Sequence, residues 1–376
     1  MTRALGASRL LLERSIGIMT KIAVLGGGNG AHAAAADLTL RGFTVNMYED
    51  ERFAPNMQQV FDTKKIELSG AAGTGTAELA MVTSDLAATI EGVKVILVAV
   101  PAFAHAAYAE KLAEVVTAGQ IVLVLPGTFG SLMFWKAFKA HGVEGVCVAE
   151  SHTLPYATRL LGPGASLVMS RFDPLKVGVM PASRTDEVIA ALDGVFPGIE
   201  AVESVVACGL SSLNPIIHVP GCILNAGRIE YAQGDFHFYT EGFTDCVARL
   251  TEAIDAERIA LLDAMGYESD IAAHGIGGAV ETDSIKEAIA GDPNFAKITG
   301  PANLKNRYYS EDIPFGIATW AKLARLIGVP TPVMDSLVSL GGVLLESDCW
   351  EGGRSMAELG IEDMDLEALR AYLIEG

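Results

Sequence analysis

The segment Gly26-Gly27-Gly28-Asn29-Gly30-Ala31 fits the pattern G-x-G-x-x-A, whose last position also accepts glycine. Each residue type has a physical reason. Gly26 makes a tight strand-to-helix turn, Gly28 lets a pyrophosphate approach the backbone, and Ala31 permits close helix–strand packing. Asn29 and Gly30 complete the turn into the following helix, whose free N–H groups and partial positive charge face the phosphates. Glu49 follows 23 residues after Gly26, at the end of the next apolar run. That is close to the offset of about 20 at which a carboxylate binds a ribose diol and repels a 2′-phosphate. Arg52 lies near enough to soften that preference. The expected cofactor is NAD, with NADP less favoured. Pro101 and Gly127 close two further apolar runs, at strand ends where open α/β sheets bind ligands. Taken singly, each is explained as well by an ordinary loop.

Of the seven histidines, His32, His105 and His141 fall in helical stretches, and His237 and His274 in polar surroundings. His152 and His218 stand apart, each in a segment of small and irregular residues. In Asn214-Pro215-Ile216-Ile217-His218-Val219-Pro220 the prolines hold the backbone near a helix entry. His218 is then expected close to a domain boundary, where a hydride acceptor would meet a nicotinamide.

Net charge is −19, which argues against nucleic acid, because phosphate backbones need clustered Lys and Arg. A single helix N-terminus can still hold a pyrophosphate. Hydrophobic residues make up 50% and charged residues 19%, without a low-complexity tract, so the chain is globular. No window of about 18 uninterrupted apolar residues suggests a membrane span. The five cysteines are widely spaced without a CxxC pair, so reduced thiols in a cytoplasmic protein are expected. No HxH, HxxxH or clustered Cys/His/Asp spacing points to a metal.

Apolar runs at 22–25, 44–48, 95–100, 121–125 and 146–149 read as buried parallel strands, with a helix over 31–41. Residues 167–169 and 177–180 are expected to extend the same sheet. Strands alternating with helices imply a doubly wound Rossmann sheet. After about residue 200 the texture turns helical, over 205–233, 241–265, 317–327 and 333–346. The expected division is an extension over 1–20, a dinucleotide-binding domain over 21–200 and a helical catalytic domain over 201–376. For 1–20, either Met19 is the natural start or the extension is a disordered arm.

The residues resemble the octopine/nopaline (opine) dehydrogenases over most of the chain from Lys21 onward. The likeness rests on the glycine turn, Val98-Ala99-Val100-Pro101-Ala102-Phe103-Ala104-His105, Leu125-Pro126-Gly127, and Leu154-Pro155-Tyr156 with Arg159. More specific are Asn214-Pro215 with His218-Val219-Pro220, and Arg307-Tyr308-Tyr309-Ser310-Glu311-Asp312-Ile313-Pro314. The resemblance implies reductive condensation of an amino-acid amine with a 2-oxo acid such as pyruvate, using NADH or NADPH. It also implies a catalytic His–Asp pair, matching His218 and Asp312, and a carboxylate-binding Arg307. A His beside a carboxylate suits this chemistry, because hydride addition to C=N or C=O demands a nearby proton donor. Thr153, Glu150 and Asn214 are weaker candidates for the substrate wall, and for Glu150 a buried capping role is an equal reading.

Three rivals remain at this stage. A 2-hydroxyacid or ketopantoate-reductase-like dehydrogenase would share both halves but need no amine. A glycerol-3-phosphate-type enzyme would want clustered lysines that the C-terminal half lacks. A non-catalytic NAD-binding sensor would bind cofactor without turnover. A homodimer through the helical half is compatible with the sequence, though no residue demonstrates it.

Overall fold

A short apolar strand, Lys21–Leu25 (β1), runs into the glycine turn and the Ala-rich helix Asn29–Leu40, then returns as Thr44–Tyr48 (β2). This unit seeds the N-terminal half of a computed structural model that describes residues 21–276 and 281–376. The expectations for residues 1–20 lie outside the described residues.

The chain adds Lys65–Gly70 (β3), Gly75–Glu78 (β4), Met81–Thr83 (β5), Val95–Val98 (β6) and Ile121–Val124 (β7). Then come Cys147–Ser151 (β8), Tyr156–Gly162 (β9), Ala165–Arg171 (β10), Leu175–Met180 (β11) and Ile199–Ala201 (β12). Eight of them form one sheet in the order β12-β11-β8-β7-β6-β1-β2-β5. Every neighbouring pair is parallel except β11 with β8. The order reverses at β1, between β2 and β6. A doubly wound sheet leaves its ligand crevice at that reversal, beyond the carboxyl ends of the strands. Strands β1, β6 and β7 are almost fully buried, as their unbroken Val/Ile/Leu runs require.

Residues 167–169 do not extend this sheet. They lie in β10 of a separate four-stranded sheet, β4-β3-β10-β9. The helix Asn29–Leu40 is buried along most of its length, and Asp37 on it accepts from the Tyr156 hydroxyl (2.8 Å) and pairs with Arg171. An apolar run of three residues specifies a strand but not which sheet it joins.

The chain divides into two compact units, one running to Gly209 and including Leu373–Gly376, the other Leu210–Tyr372. The second is helical, built on Asn214–Leu224, the long Asp245–Met265, Ala318–Ile327 and Pro332–Leu345 around buried Trp320, Tyr309 and Phe238. The expected helix over 205–233 is three helices, broken at residues 211–213 and at Asn225. By length and composition Val205–Leu224 passes as a membrane span, but it is interrupted and mostly buried. All five cysteines are free thiols, and only Cys246 is exposed.

Candidate active site

At the end of β1, Gly26 has φ +116°, and a Cβ there would lie 2.6 Å from the Ala99 carbonyl oxygen. Only glycine fits both constraints. Gly28, in contrast, faces open space, with nothing within 4 Å of an added Cβ. The helix Asn29–Leu40 has no side-chain cap at its N-terminus. Its first N–H groups are therefore left for an anion, and Ala31 is buried as close packing demands. The Asn29 side chain has another partner, since its Oδ1 accepts from the Leu160 N–H at 2.7 Å. Gly30 lies against Leu154. Glu49, just past β2, is 7% exposed. Its Oε1 accepts from the Asp50 N–H (2.8 Å) and the Tyr108 hydroxyl (3.3 Å), while Oε2 lies where a Gly27 Cβ would sit. Burial pushes the Glu49 carboxyl upward, opposed by those hydrogen bonds. An open turn, an uncapped helix start and a carboxylate at the next strand end fit a nicotinamide dinucleotide. Pro101 leads from β6 into the short turn Ala102–Ala104, exposed beside the strand reversal.

Two of the expected site residues are engaged in the fold nearby, and for Glu150 the capping reading is the one the geometry supports. Glu150 is fully buried. It accepts from the Phe129 N–H (3.0 Å), the Ser131 N–H (3.1 Å) and the Ser131 hydroxyl (2.6 Å), capping the helix Gly130–Ala140. It is not available to a substrate amine. Gly127 lies against the same cap: a Cβ there would come within 2.2 Å of Glu150, so packing by itself requires a glycine here. Thr153 contributes its carbonyl to the turn, accepting from Ser151 Oγ at 2.7 Å. His152 accepts from the Lys176 N–H (3.1 Å), and burial brings its pKa down to about 4. It is a neutral, structural imidazole.

In the helical unit, His218 lies inside Asn214–Leu224 and Asp312 starts the π-helical turn Asp312–Ile317. Gly316 allows that turn to approach closely, since a Cβ there would meet the Pro215 side chain at 2.6 Å. His218 Nδ1 is 2.7 Å from Asp312 Oδ2, with both side chains largely buried. A carboxylate only accepts, so the proton sits on Nδ1 and Nε2 is the free nitrogen. Tyr308 stacks on the imidazole at 3.6 Å between centroids and 15° between planes, backed by Phe238 at 5.8 Å. Neighbouring Tyr309 donates to the Cys222 carbonyl at 2.6 Å, pinning Arg307–Ser310 to the His218 helix. The Arg307 side chain is exposed and has no hydrogen-bond or ion-pair partner among the described residues. Burial pushes the neighbouring Tyr239 phenol well up, and Arg307 opposes the shift. Asn214 lies one turn before His218, on the same helix face.

Tyr308 is the residue the sequence reading passed over. Its signal was present in the Arg307-Tyr308-Tyr309 run, but nothing local distinguishes a tyrosine that stacks on a distant histidine from one that fills a core.

Residues 201–345 match the family model of the NAD/NADP octopine/nopaline dehydrogenase α-helical domain. Residues 21–129 match that of the NAD-dependent glycerol-3-phosphate dehydrogenase N-terminus. An opine dehydrogenase of Arthrobacter sp. (strain 1C) is 32% identical over 352 residues, covering 93% of this chain and 97% of the relative. The chain belongs to the opine dehydrogenase family. It is accordingly a nicotinamide-dependent oxidoreductase of the type that acts on CH–NH substrates. A solved octopine dehydrogenase, in a complex with NADH and L-arginine, superposes with TM-score 0.76 at 18% identity, over 95% of this chain and 98% of that one. A ketopantoate reductase from Ralstonia eutropha JMP134 shares the fold at TM-score 0.60 and 16% identity, over 87% and 99%. The rival reading as a ketopantoate-reductase-like enzyme thus reflects a common architecture.

Proposed function

We propose that this opine dehydrogenase condenses an amino-acid amine with a small 2-oxo acid reductively, and oxidises the product in reverse. His218 is the general acid–base, Asp312 its orienting partner and Arg307 the carboxylate clamp. The observation that carries the reading is the 2.7 Å contact from His218 Nδ1 to Asp312, which leaves Nε2 free. Nicotinamide dinucleotide, for which the turn from Gly26 to Ala31 and Glu49 are suited, supplies or accepts the hydride. Glu49 favours NAD over NADP by the repulsion a 2′-phosphate would meet there.

The chain's own side chains do the rest. As electron density builds on the imine nitrogen, Nε2 delivers a proton to it, and in oxidation Nε2 takes that proton back. Asp312 keeps a proton on Nδ1 and fixes the ring, so that the proton taken up from solvent and passed to the substrate is the one carried on Nε2. Such a donor is typically worth roughly 10²–10⁴-fold in rate. Arg307, unpaired and exposed, presents a planar fork that fits a carboxylate bidentately. Asn214 is placed to line the substrate side of His218.

The substrates are assigned by chemistry and by relatives. Solved octopine dehydrogenase complexes hold NADH with L-arginine and NADH with pyruvate. The test is NADH oxidation with pyruvate, with and without a panel of amino acids, and NADPH in parallel. Oxidation that requires one amino acid supports the proposal and names the amine. Oxidation by the oxo acid alone sinks it in favour of a hydroxyacid reaction.

A further inference from the structure

Beyond the strand that ends at Glu49, two cations stand where an NADP-binding site would want them, and neither is free. Asp50 Oδ1 accepts from the Arg52 Nε (2.8 Å) and the Arg52 N–H (3.1 Å), and Oδ2 from the Arg52 guanidinium (3.3 Å). Lys111, on the helix His105–Ala113, closes the other side of Oδ2. Asp50 is 8% exposed at its side chain, whereas Arg52 is 71% and Lys111 42% exposed. One inward carboxylate thus folds two outward cations back onto itself. The cluster is continuous with the ribose acceptor. The Asp50 N–H donates to Glu49, Tyr108 on the Lys111 helix donates to the same oxygen, and Tyr48 meets Tyr108 edge-on at 6.1 Å.

We propose that Asp50 is a coenzyme-specificity residue that withholds Arg52 and Lys111 from the 2′-phosphate of NADP. This rests on the reading that Glu49 takes the adenosine ribose. The chemistry is competitive. A 2′-phosphate recruits Arg or Lys through charge-assisted hydrogen bonds. Here both cations already have an intramolecular acceptor. Glu49 and Asp50 balance Arg52 and Lys111, so the cluster is neutral overall. Removing the Asp50 charge leaves one net positive charge, and one mobile fork, next to the ribose. Discrimination against NADP is then twofold: Glu49 repels the phosphate, and Asp50 keeps its natural partners occupied. Asp50 is well placed for this, since the hydrogen bonds from Arg52 and Lys111 hold its carboxyl far below the usual range and it remains charged at any working pH.

The experiment is direct titration of the full chain with NADPH and NADH, followed by nicotinamide fluorescence, for the parent and for Asp50→Asn, Asp50→Asn/Arg52→Gln and Arg52→Lys. Asp50→Asn should tighten NADPH by at least about fivefold and change NADH by less than about twofold. The gain should shrink as salt is raised, and Arg52→Gln should abolish it. In the parent background, Arg52→Lys keeps the charge but not the fork and should leave NADPH within about twofold, because the guanidinium is not engaged by the phosphate there. A folded Asp50→Asn protein without tighter NADPH binding overturns the proposal. So does a loss of NADPH affinity in Arg52→Lys, which conserves charge at an exposed side chain and decides the question even if Asp50→Asn does not fold. Glu49→Gln tests the underlying reading separately. Unchanged NADH affinity in that variant would move the ribose acceptor elsewhere, while a gain in NADPH binding by Asp50→Asn would still stand.

Discussion

The glycine turn after β1 and the His218–Asp312 pair solve two recognition problems by different means. At the turn, the backbone itself is the proposed contact surface for the cofactor. Gly26 is forced by a positive φ and by the Ala99 carbonyl oxygen, 2.6 Å from where a Cβ would sit, while Gly28 leaves space open. At the pair, the backbone only brings side chains together, across 94 residues of sequence, by a close helix crossing at Gly316. The first kind of site is encoded locally and tolerates almost no added volume. The second is encoded at a distance, so each member can be replaced without disturbing the backbone that carries it.

That contrast predicts separable failures. The largest is His218→Ala, expected to lower kcat by at least about a hundredfold while NADH affinity, measured by fluorescence titration, stays near the parent value. Comparable turnover in the variant would remove His218 from the mechanism. Gly26→Ala should fail the opposite way. Strain at this position is worth about 1–3 kcal/mol, which converts to roughly tenfold weaker NADH binding or more, with a lowered Tm. If Gly26→Ala bound NADH normally and lost only kcat, the division between a binding turn and a catalytic pair would collapse.

The same contrast explains what the sequence disclosed. The turn, β1, β2, β6 and β7 were legible because burial on both faces leaves continuous apolar runs, and because the turn's glycines sit within six residues of one another. Strands β3, β4, β5, β9 and β12 are not announced by the sequence. The runs of β3 and β4 are short and polar on one face, and β9 carries Arg159 among its apolar residues. The pairing of His218 with Asp312 came from the resemblance, since no local spacing announces a contact between a helix and a distant π-turn. Glu150 stays between two readings in the sequence for a related reason. A glutamate after a strand looks alike whether it faces a substrate or three donors of a helix start, and only the fold distinguishes them.

Arg307 tests whether the helical site is as tolerant as the comparison implies. Arg307→Lys keeps the charge on an exposed, unpaired side chain, so the fold should be untouched. The ammonium cannot reproduce the two-pronged grip, and the oxo-acid KM should rise roughly tenfold with a smaller change in kcat. Steady-state kinetics against the oxo acid at saturating amine and NADH would show this. An unchanged KM would make Arg307 a bystander and leave the carboxylate clamp to another residue.

The smallest effect sharpens the comparison most, because it concerns a residue that touches no substrate in the proposed mechanism. Tyr308 and Asp312 restrain His218 in different directions: the hydrogen bond fixes one ring nitrogen, and the stacked phenol fixes the ring plane. Aromatic pairs of this kind are worth about 0.5–1.5 kcal/mol, so Tyr308→Leu should reduce kcat by roughly two- to tenfold. Because the ring restrains orientation rather than binding, KM for both substrates should move little. Tyr308→Phe keeps the stacking face and should restore kcat to within about twofold. A purely structural tyrosine would give a different pattern, with Leu and Phe variants differing in Tm but not in kcat. If Phe failed to rescue while the protein stayed folded, the hydroxyl rather than the ring would be the active part. His218 would then be held by its carboxylate alone.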